Sequence, residues 1–228
     1  MKKFIVLSAL MLSLASCSTA NAPEDINMNT NSTTDAYSYS QNKNTNLISN
    51  TPTMMNPATD CNTDQMALPE KGEEIAVITT TYGVMKARLF ECNTPKTVEN
   101  FRELAKKGFY DGLIFHRVID GFMIQGGDPK GVGIGGETFN GEVLVDEFSR
   151  GIKHLKGTLS MAKTAAPNSA SSQFFVVQNA PFLDGSYTAF GQVFEGLEVI
   201  DKITKVKTNA SDKPLEDVKM ESIKIEKY

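Results

Sequence analysis

A chain of 228 residues with 40% hydrophobic side chains has room for one ordinary domain plus appendages, and enough apolar content for a core. Its formal net charge of −4 gives no basic footprint, which argues against a nucleic-acid-binding role.

In chain order, the first element reads as an export signal. Lys2 and Lys3 form a positive start, and the apolar run Phe4 to Leu14 is too short to span a bilayer. The tetrapeptide LASC, Leu14 to Cys17, resembles the lipobox of bacterial lipoproteins. That resemblance implies a signal peptide over 1–16, cleavage before Cys17 and lipidation of its sulfur. The alternative is an ordinary secretory signal beside a chance cysteine. Acyl chains bind a bilayer with about 0.8 kcal/mol per buried CH₂. Ser18 in the next position implies, by the same resemblance, the outer membrane of a diderm cell, with the protein facing the periplasm.

Residues 17–72 change character. The run NMNTNSTTDAYSYSQNKNTNLISN is rich in Asn, Ser and Thr and poor in aliphatics. It cannot bury enough apolar area to offset ordering costs of about 1–2 kcal/mol per residue. We expect a disordered tether whose ~50 residues reach about 40 Å.

A folded domain is expected over 73–228. IAVITTTYGVMKARLF predicts two strands around a turn containing Gly83. TPKTVENFRELAKKG predicts a helix, with Thr94 as its cap, Pro95 in its first turn and Gly108 at its stop. GTLSMA, SQFFVVQ and TAFGQVF predict short strands. GLEVIDKITKV predicts a second helix with Leu197, Ile200 and Ile203 inward, and VKMESIKIEKY a last strand. Many short strands with only two helices point to a closed or sandwiched β architecture with the helices outside.

With Cys17 lipidated, Cys61 and Cys92 remain as an even pair, open to a disulfide or to two free thiols. A bridge closing roughly thirty residues stabilises by about 3–4 kcal/mol in the chain-entropy account.

GVGIGG, Gly131 to Gly136, satisfies G-x-G-x-x-G, but ETFNGEVLVDEFS after it has no helical period. It reads as a mobile surface loop. Neither histidine has the partners of a hydrolase or a metal site: no G-x-S-x-G is present, and ligands do not cluster in the sequence. His116 reads as a packing or hydrogen-bonding residue and His154 as solvated.

FHRVIDGFMIQGGD, Phe115 to Asp128, sets one cation, Arg117, among large apolar side chains. Arginine is rarely buried without a partner. A two-residue period lets Arg117, Phe122, Met123 and Gln125 face one cleft, to which SSQFFVV adds Gln173 and Phe175 and PFLDGSYTAFG adds Phe182, Leu183 and Tyr187. Taken singly, such residues are more often core or rim than site.

FHRVIDGFMIQGGD, SMAKTAAPNSASSQFFVV and FLDGSYTAFGQV together resemble the cyclophilin family of peptidyl-prolyl cis–trans isomerases, from about residue 74 to 228. The resemblance implies a closed eight-stranded antiparallel β-barrel capped by two α-helices. It implies that Arg117 is catalytic and that Phe122, Met123, Phe175 and Leu183 form a proline pocket. Gln125, Gln173 and the backbone around Ala162 and Lys163 would then make polar substrate contacts. Tyr187 stands where many members have histidine, and Phe182 where cyclosporin-sensitive members have tryptophan, so weak cyclosporin binding is expected. Lys163 replaces a common asparagine, with little effect expected because that contact is mainly backbone. The reaction needs no metal or other cofactor. Expected partners are proline-containing polypeptides, and the lipid end would hold the membrane. A monomer is expected. The rival readings are a non-catalytic proline-peptide binding module and a chaperone or adhesin.

Overall fold

The computed structural model describes residues 61–228. The expected signal peptide, Cys17 and the tether through residue 60 lie outside the described residues. The elements run β1 (Glu74–Thr80), β2 (Gly83–Leu89), α1 (Pro95–Lys106), β3 (Arg117–Ile119), β4 (Met123–Gly126), β5 (Thr158–Met161), β6 (Phe174–Val177), β7 (Ala189–Glu195), α2 (Leu197–Thr204) and β8 (Met220–Lys227). A single 3₁₀ turn, Pro181–Leu183, precedes β7. Among the described residues no helix is long and apolar enough to cross a membrane.

The strands form one antiparallel sheet in the order β3-β4-β6-β5-β7-β2-β1-β8. Alternation decides its two faces. Val118, Ile124, Phe174, Val176, Leu159 and Met161 turn to the main core. There they meet Phe101 of α1 and Ile200 and Ile203 of α2. Register slips at Thr79/Thr80, Lys86/Ala87 and Leu159/Ser160 bend the sheet.

The expected closed barrel needs correction. The ladder is open between β3 and β8, which are its edges. The free edge of β3 is taken by a loop instead, since Val118 N–H donates to the Asp212 carbonyl at 2.8 Å. Only the run before β3 meets the run into β8. Phe115 N–H donates to Val218 O at 2.9 Å, Met220 N–H to Leu113 O at 2.8 Å, and Ile114 and Lys219 form an isolated bridge.

Helix α1 begins and ends by different means. Thr94 occupies the N-cap, but its hydroxyl donates back to Phe90 O rather than capping the helix. Glu147, fifty residues on, does that work: its carboxylate accepts from Lys96 N–H at 3.1 Å and Thr97 N–H at 2.8 Å. At the other end Phe109 N–H donates to Leu104 O and Gly108 N–H to Ala105 O, a Schellman closure. Gly108 sits at φ +70, which explains glycine there.

The chain is built into the domain well before residue 73. Cys61 is bonded to Cys92, Gln65 is buried, and Gly72 N–H donates to Tyr228 O at 2.9 Å.

Candidate active site

Arg117, Gln125, Phe175 and Ser160 are successive cross-strand partners on β3, β4, β6 and β5. They lie on the face opposite the main core. The period of two therefore carries one row of side chains from the sheet edge towards its middle. The β3–β4 turn completes the wall. Phe122 N–H closes the turn onto Ile119 O at 3.1 Å, and Phe122 O accepts from Gln178 and Asn179 N–H at 2.8 and 3.0 Å.

Around this row lies a separate apolar cluster. Met123, Phe175, Val177 and Ala180 are buried, with Phe122, Ala162, Leu183 and Tyr187 packed against them. Phe175 and Tyr187 meet edge to face, 6.1 Å between centroids. The cluster encloses a hollow of ≈ 370 Å³ lined by Arg117, Phe122, Met123, Gln125, Ala162, Lys163, Phe175, Leu183 and Tyr187, all expected from sequence. His116, Val132, Gly133 and Ser211 also line it and were not anticipated there.

Two expected residues sit otherwise. Phe182 is 70% exposed and does not line the hollow; its ring packs on Phe122 at 5.3 Å, at the rim. Gln173 borders a neighbouring hollow of ≈ 500 Å³ that shares Gln125, Gly133, Ala162 and Lys163 with the first.

Polar groups fix the guanidinium. Arg117 Nη1 donates to Gln125 Oε1 at 3.5 Å, Gln125 Nε2 to Gln173 Oε1 at 3.0 Å, and Gln173 Nε2 to Gly135 O at 2.6 Å. On the other side Arg117 Nε faces Asp212 Oδ2 at 3.7 Å. This relay leaves guanidinium N–H groups for a ligand. Gly127 shows why the motif needs glycine two residues after Gln125. It sits at φ +82, and any Cβ there would strike the Ser172 carbonyl.

The GVGIGG loop is pinned. The Asp128 carboxylate accepts from Lys130, Val132 and Gly133 N–H at 2.9, 2.9 and 2.7 Å. Burial pushes Asp128 up, but these three donors outweigh it and hold its pKa below the usual carboxylate value. His116 is buried, and neither ring nitrogen has a protein partner. Burial chiefly lowers its pKa; Asp128 opposes this, and Lys213 and Arg117 add to it.

His154 corrects the sequence reading. It is 2% exposed, not solvated. Its Nδ1 lies 3.1 Å from Asp184 Oδ1 and its Nε2 3.0 Å from Ser160 Oγ. The trio has the members of a hydrolytic triad, but Ser160 is fully buried behind Phe175, so no substrate reaches it. Lys163 has a structural part to play through its side chain. Its ammonium pairs with Asp146 at 3.3 Å and lies over the Phe148 ring at 5.3 Å, so the side chain clamps the cleft wall besides the backbone bond Ala162 N–H to Gln173 O.

Comparison with known proteins places this geometry. The family described as cyclophilin type peptidyl-prolyl cis-trans isomerase/CLD matches residues 75–225. A Staphylococcus aureus (strain USA300) protein named for peptidyl-prolyl cis-trans isomerase activity is 41% identical over 186 residues, covering 69% of this chain and 94% of that protein. A Streptococcus pyogenes serotype M6 protein, named as a bifunctional phosphatase/peptidyl-prolyl cis-trans isomerase, is 44% identical over 178 residues, or 65% of this chain. The match spans only 38% of that longer protein. A Cryptosporidium parvum cyclophilin type isomerase, solved in the presence of the dipeptide Ala-Pro, superposes with a TM-score of 0.65 at 38% identity, covering 68% of this chain and 99% of its own. A sheet that exposes one arginine over an apolar hollow, with this family match over residues 75–225, has one reading: the chain belongs to the cyclophilin-type peptidyl-prolyl cis-trans isomerases.

Proposed function

We propose that this chain speeds rotation about X–Pro bonds in proline-containing segments of exported proteins, from a lipid anchor at Cys17. The observation that carries the catalytic part is the placement of Arg117 beside the hollow of Phe122, Met123, Phe175 and Leu183. The Ala-Pro dipeptide belongs to the Cryptosporidium relative; it supports a prolyl ring as the occupant here.

X–Pro rotation is slow because amide resonance must be broken, at a cost of about 20 kcal/mol. In the twisted state the prolyl nitrogen becomes pyramidal and gains a lone pair. A donor aimed at that nitrogen is favoured only at the transition state, which is what lowers a barrier. Arg117 suits the task because its fork is charged at every cellular pH and two of its positions are already fixed by Gln125 and Asp212. The apolar walls hold the ring while the preceding carbonyl swings. A 10⁵-fold acceleration needs about 7 kcal/mol. One charge-assisted bond supplies about 1.5–3 kcal/mol, so positioning supplies the remainder. The deciding assay follows proline-peptide isomerisation by the full chain against Arg117→Ala.

The envelope location rests on Lys2, Lys3, the apolar run Phe4 to Leu14 and the tetrapeptide ending in Cys17. Labelling cells with a fatty-acid analogue tests it. The wild-type chain takes up label, and Cys17→Ser does not; label on both, or on neither, overturns the anchor.

A further inference from the structure

The stretch from Cys61 to Pro69 lies ahead of the part that matches the family, residues 75–225, yet it is fastened to the domain. Cys61 is bonded to Cys92. Thr63 donates to buried Asn93. Gln65, 8% exposed, uses its whole amide: Oε1 accepts from Lys153 N–H at 2.9 Å, while Nε2 lies 2.7 Å from Lys153 O and 3.0 Å from both Thr158 Oγ1 and Gln192 Oε1. This amide grips Lys153 by both backbone groups. The next residue is His154, whose ring reaches Ser160 and stacks over Phe175 at 6.3 Å and 17°. A covalent and hydrogen-bonded line thus runs from the disulfide to the floor of the prolyl hollow.

We infer that Gln65 is a positioning residue for the isomerase site, and that the Cys61–Cys92 bridge is the clasp that keeps it seated. The strap is fixed at both ends, by the bridge at Cys61 and by β1 at Glu74. Opening the bridge frees one end, and the ordering of a buried amide then loses its intramolecular advantage. Cys92 is exposed and Cys61 partly so, which lets a small dithiol reach the sulfurs. The step balances simply. A thiolate of the dithiol attacks one cystine sulfur and expels the other cysteine as a thiolate. Its second thiol then attacks the reductant's own sulfur in the mixed disulfide and expels the remaining cysteine, so two electrons pass from the reductant. Cys61 and Cys92 end as thiols, and the reductant ends as a disulfide.

The test uses the full chain, well below its melting transition. Isomerase kcat and KM are measured with the bridge intact and after dithiothreitol reduction with alkylation. The same is done for Cys61→Ser/Cys92→Ser and Gln65→Ala. The expected result is a fall in kcat/KM of up to about tenfold, short of the ~10²-fold that a 1 Å misplacement costs. It should be accompanied by faster amide exchange at Phe174, Phe175 and Ser160 but not in β1 or β8. Gln65→Ala should reproduce the loss with its bridge still closed. A reduced, alkylated protein that melts lower but keeps its full kcat/KM would reduce the strap to a staple and overturn the inference. So would two titratable thiols in the untreated protein, or an active-site floor whose exchange is unmoved in Gln65→Ala.

Discussion

Asp212 faces Arg117 from a left-handed backbone conformation, φ +61, with its carboxylate 3.7 Å from Nε and its carbonyl accepting from the next residue, Val118. One residue thus aligns both the guanidinium and the strand that bears it. Asn209 stiffens the loop by accepting from Ser211 and Lys213 N–H through Oδ1 at 2.9 and 3.1 Å. Asparagine tolerates positive φ, so Asp212→Asn keeps the loop and deletes only the charge. Both partners are more than 40% exposed, so the pair contributes at most about 1 kcal/mol. We expect kcat/KM to drop by no more than about fivefold, mainly in kcat. Added salt should bring the wild type towards the variant and leave the variant unmoved. Equal salt responses would show that the pair orients nothing.

Arg117→Ala removes the guanidinium that borders the hollow, whose N–H groups beyond those facing Gln125 and Asp212 are left for a ligand. We expect kcat/KM to fall by about 10²–10³, as for loss of a preorganised donor, while a proline peptide still binds. Arg117→Lys should recover little, because a single ammonium cannot meet Gln125, Asp212 and the prolyl nitrogen at once. A protease-coupled assay with near wild-type rates for either variant would remove Arg117 from the chemistry.

Periodicity of two placed Arg117, Met123, Gln125 and Phe175 on one face of short strands, but it was the resemblance of three motifs to the cyclophilin family that made that face a site. The remainder was set by distant partners. Asp212 and Ser211 come from a polar loop that resembles any surface turn. Gln65 sits in a segment whose composition reads as linker. His154, flanked by lysines, looks solvated until Asp184 and Ser160 close on it. The open seam was hidden likewise, because only the fold shows Asp212 taking the edge of β3.

Glu147 ties the start of α1 to the wall of the cleft, and its loss should register in stability rather than turnover. Glu147→Ala strands two helix N–H groups and the Thr97 hydroxyl, all of which it now satisfies. The expected loss is about 1–2 kcal/mol, the scale of a missing N-cap with its dipole interaction. Urea midpoints should drop with an unchanged slope, and kcat/KM below the transition should hold. An unchanged midpoint would mean that water caps the helix equally well.

The Phe182 ring on the rim has no N–H to offer a ligand carbonyl, and it lies tilted against Phe122. Cyclosporin should therefore bind weakly, and Phe182→Trp should tighten it without altering peptide turnover much. Calorimetry giving a nanomolar Kd for the wild type would contradict this.

The two buried histidines give stability a definite pH direction. Burial lowers the pKa of His154, and its hydrogen bond and charge attraction to Asp184 oppose this without reversing it. Burial likewise dominates at His116. Above the ordinary imidazole value of about 6.5, both folded and unfolded chains carry neutral rings, and pH has no purchase through them. Below it the unfolded chain takes up protons first, so stability falls until the folded rings also protonate. Asp184 and Asp128, held low by their donors, add a second loss only in the carboxylate range further down. The hydrogen bonds give His154 a particular signature. Asp184 can only accept, so the neutral ring donates from Nδ1 and must accept at Nε2, which turns the Ser160 hydroxyl towards it. Protonation makes Nε2 a donor and swings that hydroxyl to Thr188 O, 3.2 Å away. The midpoint of the ring-proton shifts followed by NMR should fall below the ordinary value of about 6.5, with the Ser160 resonance moving together with them. A titration of His154 centred at or above the ordinary value would show that the burial argument has the wrong sign.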